Sequence, residues 1–290
     1  MMTLTKLMER FPDEDSCYTY LTAMRWPNGV CCPRCGNDKV HKLAKPYRWQ
    51  CKGCQKNGYR FSPLVGTIFE NTNYGLQTWF QVIFLMISSK KGISALQIHR
   101  MIGSGSYRTA WYMCHRIRAA MRNEAFIKLT GVVEIDETFV GGKDKNKHRS
   151  KRGGGRGTLG KVGVIGAIAR KGNVVARVIE ETDAATLQGF VRETVADDVS
   201  LVATDDYRSY RGLAPDYPHE FVSHSGKNEY VRGNVHTNNI DGFWSLIKRG
   251  IMGSFHHVSK QYLPLYLNEF SFRHNHREDP DMFASVVRAS

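Results

Sequence analysis

Two Cys-x2-Cys knuckles constrain this chain most: Cys32 with Cys35 and Cys51 with Cys54, with fifteen residues between the pairs. Each knuckle lets two thiolates face one cation from a single tight turn, and Gly36 and Gly53 ease those turns. The surrounding segment, residues 26–65, is punctuated by Pro, Gly and Asn and holds only short runs such as YRWQC and YRFSP. About forty residues of this kind cannot bury enough surface to fold alone, whereas a structural zinc contributes on the order of 10–16 kcal/mol of apparent binding energy. The spacing therefore predicts small hairpins folded around one Zn²⁺ held by Cys32, Cys35, Cys51 and Cys54, a zinc ribbon. Cys17, Cys31 and Cys114 have no partner at ligand spacing and read as ordinary thiols.

The rest of the 290 residues is enough for two or three domains, and an apolar fraction of 41% can supply their cores. The formal charge of +14, from 41 Lys and Arg against 27 Asp and Glu, points to a nucleic-acid partner, because phosphate neutralisation is what such an excess commonly serves. A membrane partner finds no support. The longest largely apolar run, Trp79 to Ile87, is too short to span a bilayer, and the opening MMTLTKLMERFPDED carries acids where a signal peptide needs an apolar region. The expected location is the cytoplasm, at the nucleoid, where thiols stay reduced.

Along the chain, residues 3–25 have helical spacing interrupted by Pro12, a lead-in to the ribbon. Tyr74 to about Met121 is helical again, with breaks at Lys91-Gly92 and Gly103-Ser104-Gly105. GISALQIHRMI, then GSG, then SYRTAWYMCHRIRAAMR has the length and break of a helix-turn-helix. Ile93, Leu96, Ile98, Met101 and Ile102 suit the inner side of its first helix. Arg108, Arg116 and Arg118 suit a DNA-facing side of the second. GVVEIDETFVGG alternates like a strand, and the basic, glycine-rich stretch 143–161, with Lys151 and Arg152, reads as a mobile loop suited to DNA. VGVIGAIARKGNVVARVIE reads as two strands about a turn, ATLQGFVRETV as a helix, SLVATDDY and HEFVSHS as strands, and Asn238 to about His274 as helix. The expected architecture is a zinc ribbon in residues 1–70, a helix-turn-helix region in 71–128, and an α/β domain with a mixed sheet in 129–280.

Three acids carry the chemistry of that last domain. Asp136 lies in the strand VVEIDETFV, Asp205 ends SLVATDDY, and Asp241 opens the helix DGFWSLIKRG thirty-five residues later. An acid inside an apolar strand is costly to bury without a cation or partner, so two such acids and a third at a helix start suggest a cage for paired Mg²⁺ or Mn²⁺ ions. Two such ions suit an in-line displacement at phosphorus. Glu134, Glu137 and Asp206 are neighbouring acids without that role; Glu134 shares a strand face with Asp136, and Glu137 points away. Lys248 lies two helical turns after Asp241 and can face the same DNA end, with Arg249 beside it and Trp244 between as a stacking platform for an unpaired base. His236 and Asn238 precede the helix within reach of the ions.

Taken together, CPRCG, WQCKGCQ, FSPLVGTIFENT, EIDETFVGG, TDDYRSY, HTNNIDGFWSLIKRGIMGSFHHVS and LNEFSFRHNHR resemble the Merlin-related insertion-sequence transposases of the insertion-sequence 1595 family, from about Phe11 to Arg277. The resemblance implies a ribonuclease-H-like catalytic domain, divalent metal, recognition of terminal inverted repeats in double-stranded DNA, and cut-and-paste or related strand transfer within a homo-oligomeric synaptic complex. It matches Asp136 and Asp205 to the first two catalytic aspartates and Lys248 to the basic residue of the last catalytic helix. Many relatives read IEGFW where this chain reads IDGFW; some members use Asn as the third ligand, so Asp241 and Asn238 both stand as candidates. The implied reaction cuts the transposon end with water and then attacks target DNA with the freed 3′-hydroxyl. A sequence-specific DNA binder with a decayed site and a structure-selective nuclease on the same fold are the alternative readings.

Overall fold

A computed structural model of the chain describes residues 2–54, 57–122, 127–142, 148–151, 160–223, 229 and 231–290. The chain forms two units, Met1–Met121 with Glu278–Ser290, and Arg122–Arg277.

In the first unit, Thr3 caps α1 (Leu4–Arg10), and Asp13 opens α2 (Glu14–Arg25) through a capping box with Ser16. Three short antiparallel strands follow, β1 (Val40–Lys42), β2 (Trp49–Cys51) and β3 (Tyr59–Phe61), paired in that order. Their small core is aromatic: Trp26, Trp49 and Phe61 pack with Cys32 and Cys51. Helix α3 (Leu76–Ser88) buries Trp79, Phe80, Val82, Ile83, Phe84 and Met86, and its first N–H groups, on Leu76 and Gln77, donate to the Glu14 carboxylate at 2.8 and 2.9 Å. A Cβ at Gly75 would crowd that carboxylate and require it to shift. Ser94 caps α4 (Ala95–Ile102), left-handed Gly103 ends it, and Ser106 caps α5 (Tyr107–Ala120). The break read at Gly103-Ser104-Gly105 is a four-residue turn, Gly103 to Ser106, between the two helices. Two residues assigned to the inner side of α4 lie outside instead: Leu96 and Met101 are 44% and 55% exposed, while Ile93 and Ile98 are buried. The last helix, α9 (Met282–Arg288), belongs to this unit, with Phe283 against Phe11, Tyr20 and Phe80.

The second unit is a mixed five-stranded sheet: β4 (Val132–Val140), β5 (Val162–Ala169), β6 (Val174–Ile179), β7 (Leu201–Asp205) and β8 (His219–Val222). Their order is β6-β5-β4-β7-β8, antiparallel through β4 and parallel from β4 to β8, which is a ribonuclease-H-like topology. Alternation along β4 sorts its two faces. Val133 and Ile135 pack under α6 (Ala184–Thr194) with Leu187, Phe190 and Val191. On the other face Val140, with Val164 and Ile168 of β5, meets α7 (Asn238–Gly250) and α8 (Leu263–Asn275) through Ile240, Phe243, Trp244, Ile247, Leu267 and Phe270. The single helix expected from Asn238 to His274 is thus two: α7 runs into a π-helical turn, Ile251–Phe255, and the chain breaks at His256 with φ 59°. Most of the basic stretch 143–161, including Arg152 and the side chain of Lys151, lies outside the described residues.

Candidate metal centres

The four cysteines of the ribbon lie together. Cys32 Sγ is 3.3 Å from Cys54 Sγ, Cys35 Sγ is 3.0 Å from Cys54 and 3.8 Å from Cys51, and Cys54 and Cys51 are 3.8 Å apart. A tetrahedral zinc with Zn–S of about 2.3 Å needs sulfur–sulfur edges of roughly 3.8 Å, so this donor set fits Zn²⁺. Burial works against ionising Cys32, yet the backbone N–H groups of Arg34 and Cys35 and the neighbouring thiols outweigh it and hold its pKa down to about 7. Cys54, facing Cys35, Cys32 and Cys51, is pushed the other way. Such a quartet gives up its protons to a cation. Among the described residues it is the one group whose ligand atoms all fall within 4.8 Å of one another.

The carboxylates of the second unit gather more loosely. Asp136 stands on β4 opposite Gly166 of β5, and Asp205 ends β7. Glu134 pairs in register with Ala203 across the parallel β4–β7 ladder, and each aspartate lies two residues further along its own strand, on the same face. Asp241 lies in the first turn of α7, where Thr237 Oγ1 donates to its Oδ2 at 3.2 Å. Burial first, then the charges of Glu137, Asp241 and Asp205, push Asp136 up to about 8. After burial and Glu137, the charges of Asp241 and Asp205 thus reach Asp136 across the elements that carry them. Hard oxygen donors on three separate elements suit Mg²⁺ or Mn²⁺ and repel one another until a cation is bound.

The neighbouring acids have other partners. Glu137, on the opposite face of β4, accepts a 2.6 Å hydrogen bond from buried Tyr210, and Asp206 accepts one from Ser223 at 3.0 Å. Glu134 is fully buried and is not idle. Its carboxylate accepts from Arg170 Nε at 2.7 Å, lies 3.2 Å from His236 Nδ1, and accepts the backbone N–H groups of Asn239 and Ile240 at 2.7 and 3.2 Å. Sequence reading set Glu134 aside; the legible signal was its position on the face it shares with Asp136.

On α7, Asn238, Asp241, Lys248 and Arg249 are all exposed, and their spacing places them along one side of the helix. Trp244 is not available to stack on a base. It is 3% exposed and packs over Gly166, where a Cβ would come within 2.6 Å of its ring. The helix turns its apolar stripe inward, and Trp244 falls on that stripe rather than beside Lys248. The arginines of α5 also divide. Arg108 is exposed in the first turn. Arg116 spends its guanidinium on the carbonyls of Glu70 and Thr67, at 3.0 and 3.2 Å. Arg118 is 1% exposed and so cannot be a surface phosphate contact. Helix α5 is buried on most of its circumference, which leaves no broad cationic face. No helix among the described residues is long and apolar enough to cross a membrane.

Residues 128–275 match the family described as ISXO2-like transposase domain, and residues 12–57 match the transposase zinc-ribbon domain. An uncharacterized protein in transposable element ISH50 of Halobacterium salinarum is 30% identical over 282 residues, with 92% of each chain covered.

Proposed function

The chain belongs to the family of ISXO2-like transposases, and from that premise we propose that it binds the terminal repeats of its own element and cuts and rejoins DNA there. One observation carries the catalytic reading. Asp136 and Asp205 stand two residues beyond the paired Glu134 and Ala203 on one face of adjacent parallel strands, and the charge of Asp241, from a helix start, reaches Asp136 together with that of Asp205, after burial and Glu137. Carboxylates directed at one half-buried position repel one another, and a divalent cation offsets that repulsion. Asp136, Asp205 and Asp241 would hold two divalent ions, with Asn238 as the competing third ligand. Bound there, the ions would lower the pKa of an attacking water or 3′-hydroxyl and neutralise charge developing on the scissile phosphate.

The chain's own residues do the rest. Lys248 and Arg249 present positive charge to the DNA backbone along the exposed side of α7 that also carries Asp241. Arg108 contributes a further contact from the start of α5, in keeping with the N-terminal end of a recognition helix reading DNA. The ribbon and helix-turn-helix bind and position the end, and the carboxylate unit cuts. Asp136→Ala and Asp205→Ala test this: each should abolish cleavage of an end-containing duplex in Mg²⁺ while leaving its binding near the wild-type level, since each removes a metal ligand and no phosphate contact. Parallel loss of binding and cleavage would make the two aspartates structural instead.

A further inference from the structure

Thr237, the residue at the N-cap of α7, makes no side-chain capping bond. Four N–H groups at a helix start need partners, and a helix end left without them is costly. Here the partner comes from 105 residues away: Glu134 Oε2 accepts from Asn239 N at 2.7 Å and Ile240 N at 3.2 Å, and Glu134 Oε1 accepts from Asn239 Nδ2 at 2.7 Å. Arg170, in the β5–β6 turn, supplies the counter-charge at 2.7 Å and donates through Nη2 to the His236 carbonyl at 3.3 Å, so that the residues leading into the helix are held as well. The negative carboxylate also meets the positive end of the helix dipole.

We propose that Glu134 is a positioning residue, whose buried carboxylate fixes the first turn of α7, and with it Asp241, against the strand that carries Asp136. A serine or aspartate at position 237 would satisfy the helix start equally well, but it would tie α7 only to itself. Glu134 lies two residues before Asp136 on the same face of β4, and Asp241 follows Ile240, the last N–H that Glu134 binds. One carboxylate thus joins the elements bearing two of the three candidate ligands. Metal sites need their ligands held to about 0.5 Å, and partners behind the ligands commonly change metal affinity 10- to 100-fold. This inference rests on the metal-site reading proposed above.

The test is titration of Mn²⁺ alone into the full-length, zinc-loaded protein, followed by electron paramagnetic resonance. Glu134→Gln should weaken Mn²⁺ binding about 10- to 100-fold while DNA-end binding is kept. If Glu134 acts through Asp241, Glu134→Gln should add no further loss in an Asp241→Asn background but should keep its effect in an Asp205→Asn background. Wild-type Mn²⁺ affinity in Glu134→Gln, or equal losses in both backgrounds, overturns the proposal. Should Glu134→Gln fail to fold, Asn239→Ala at an exposed position removes one of its donors, and Mn²⁺ binding should weaken by a smaller factor; no change there overturns the proposal equally. If the wild-type protein itself shows no Mn²⁺ binding that Asp136→Asn removes, the metal-site reading has failed, and the positioning role falls with it.

Discussion

Asp136 occupies a site that opposes its own charge. With its carboxyl pushed from an ordinary aspartate value up to about 8, the folded, metal-free protein holds a proton there that the unfolded chain has released. Stability from this residue is therefore full below the unfolded pKa near 4 and is lost progressively as pH rises to about 8, because over that range the unfolded chain has released a proton that the folded state keeps; above it both states are ionised and the loss is complete. Asp136→Asn is neutral throughout. In metal-free protein, its thermal midpoint relative to wild type should climb between about pH 5 and pH 8 and then level off. Added Mn²⁺ should stabilise the wild type most at the upper end, because a bound cation reverses the penalty on the charged form. A difference between the two proteins that is flat across this range would mean that burial and the neighbouring charges do not raise the Asp136 carboxyl.

The helices α5 and α7 each carry one surface that the unit's core does not use, and their predictions follow from which residues lie on it. On α5, Arg108→Ala should weaken DNA-end binding and reduce the salt slope by about one, as loss of a phosphate contact does, while Arg118→Ala should lower stability and leave the slope alone. Fluorescence anisotropy across a KCl series distinguishes them, and a slope change from Arg118→Ala instead would contradict its burial. On α7 the competition is between Asp241 and Asn238. Aspartate brings a charge that offsets two divalent cations, and asparagine only a carbonyl dipole. Against Asp241, it is shorter than the relatives' glutamate by roughly 1.5 Å, and a misplacement of about 1 Å can cost on the order of 10²-fold in rate. Direct cleavage assays should find Asp241→Asn inactive, Asn238→Ala modestly reduced and Asp241→Glu at or above wild type. An active Asp241→Asn beside a dead Asn238→Ala would assign the third ligand to Asn238.

At the scale of the molecule, the chain leaves its N-terminal unit at Met121 and returns to it at Glu278. The return is anchored by Phe283, 1% exposed, whose ring lies 5.6, 5.3 and 6.3 Å from those of Phe11, Phe80 and Tyr20. Removing a large buried ring of this kind costs about 3–5 kcal/mol. Phe283→Ala should therefore strip amide-exchange protection from α2 and α3 while β4 and β5 keep theirs. Equal loss in both units would show that the last helix supports the sheet as well.

Much of the fold was legible because it is written in local spacing. The two Cys-x2-Cys knuckles bring four sulfurs together with little help from the rest of the chain, and the break read at Gly103-Ser104-Gly105 falls where Gly103 ends α4 and Ser106 caps α5. The alternation in VVEIDETFV put Glu134 and Asp136 on one face of a strand and Glu137 on the other, as the structure has them. What the spacing could not show is which side chains the rest of the molecule would claim. Arg116 is taken by carbonyls 46 and 49 residues away, and Glu134 by helix N–H groups more than a hundred residues on. Trp244 shares its helix with Lys248 but fills the space that Gly166 leaves on a different strand. A residue's type and its neighbours in the chain set what it is able to do; burial and long-range partners, which exist only once sheet and helices have packed, decided which of these side chains stayed free to meet a metal or a phosphate.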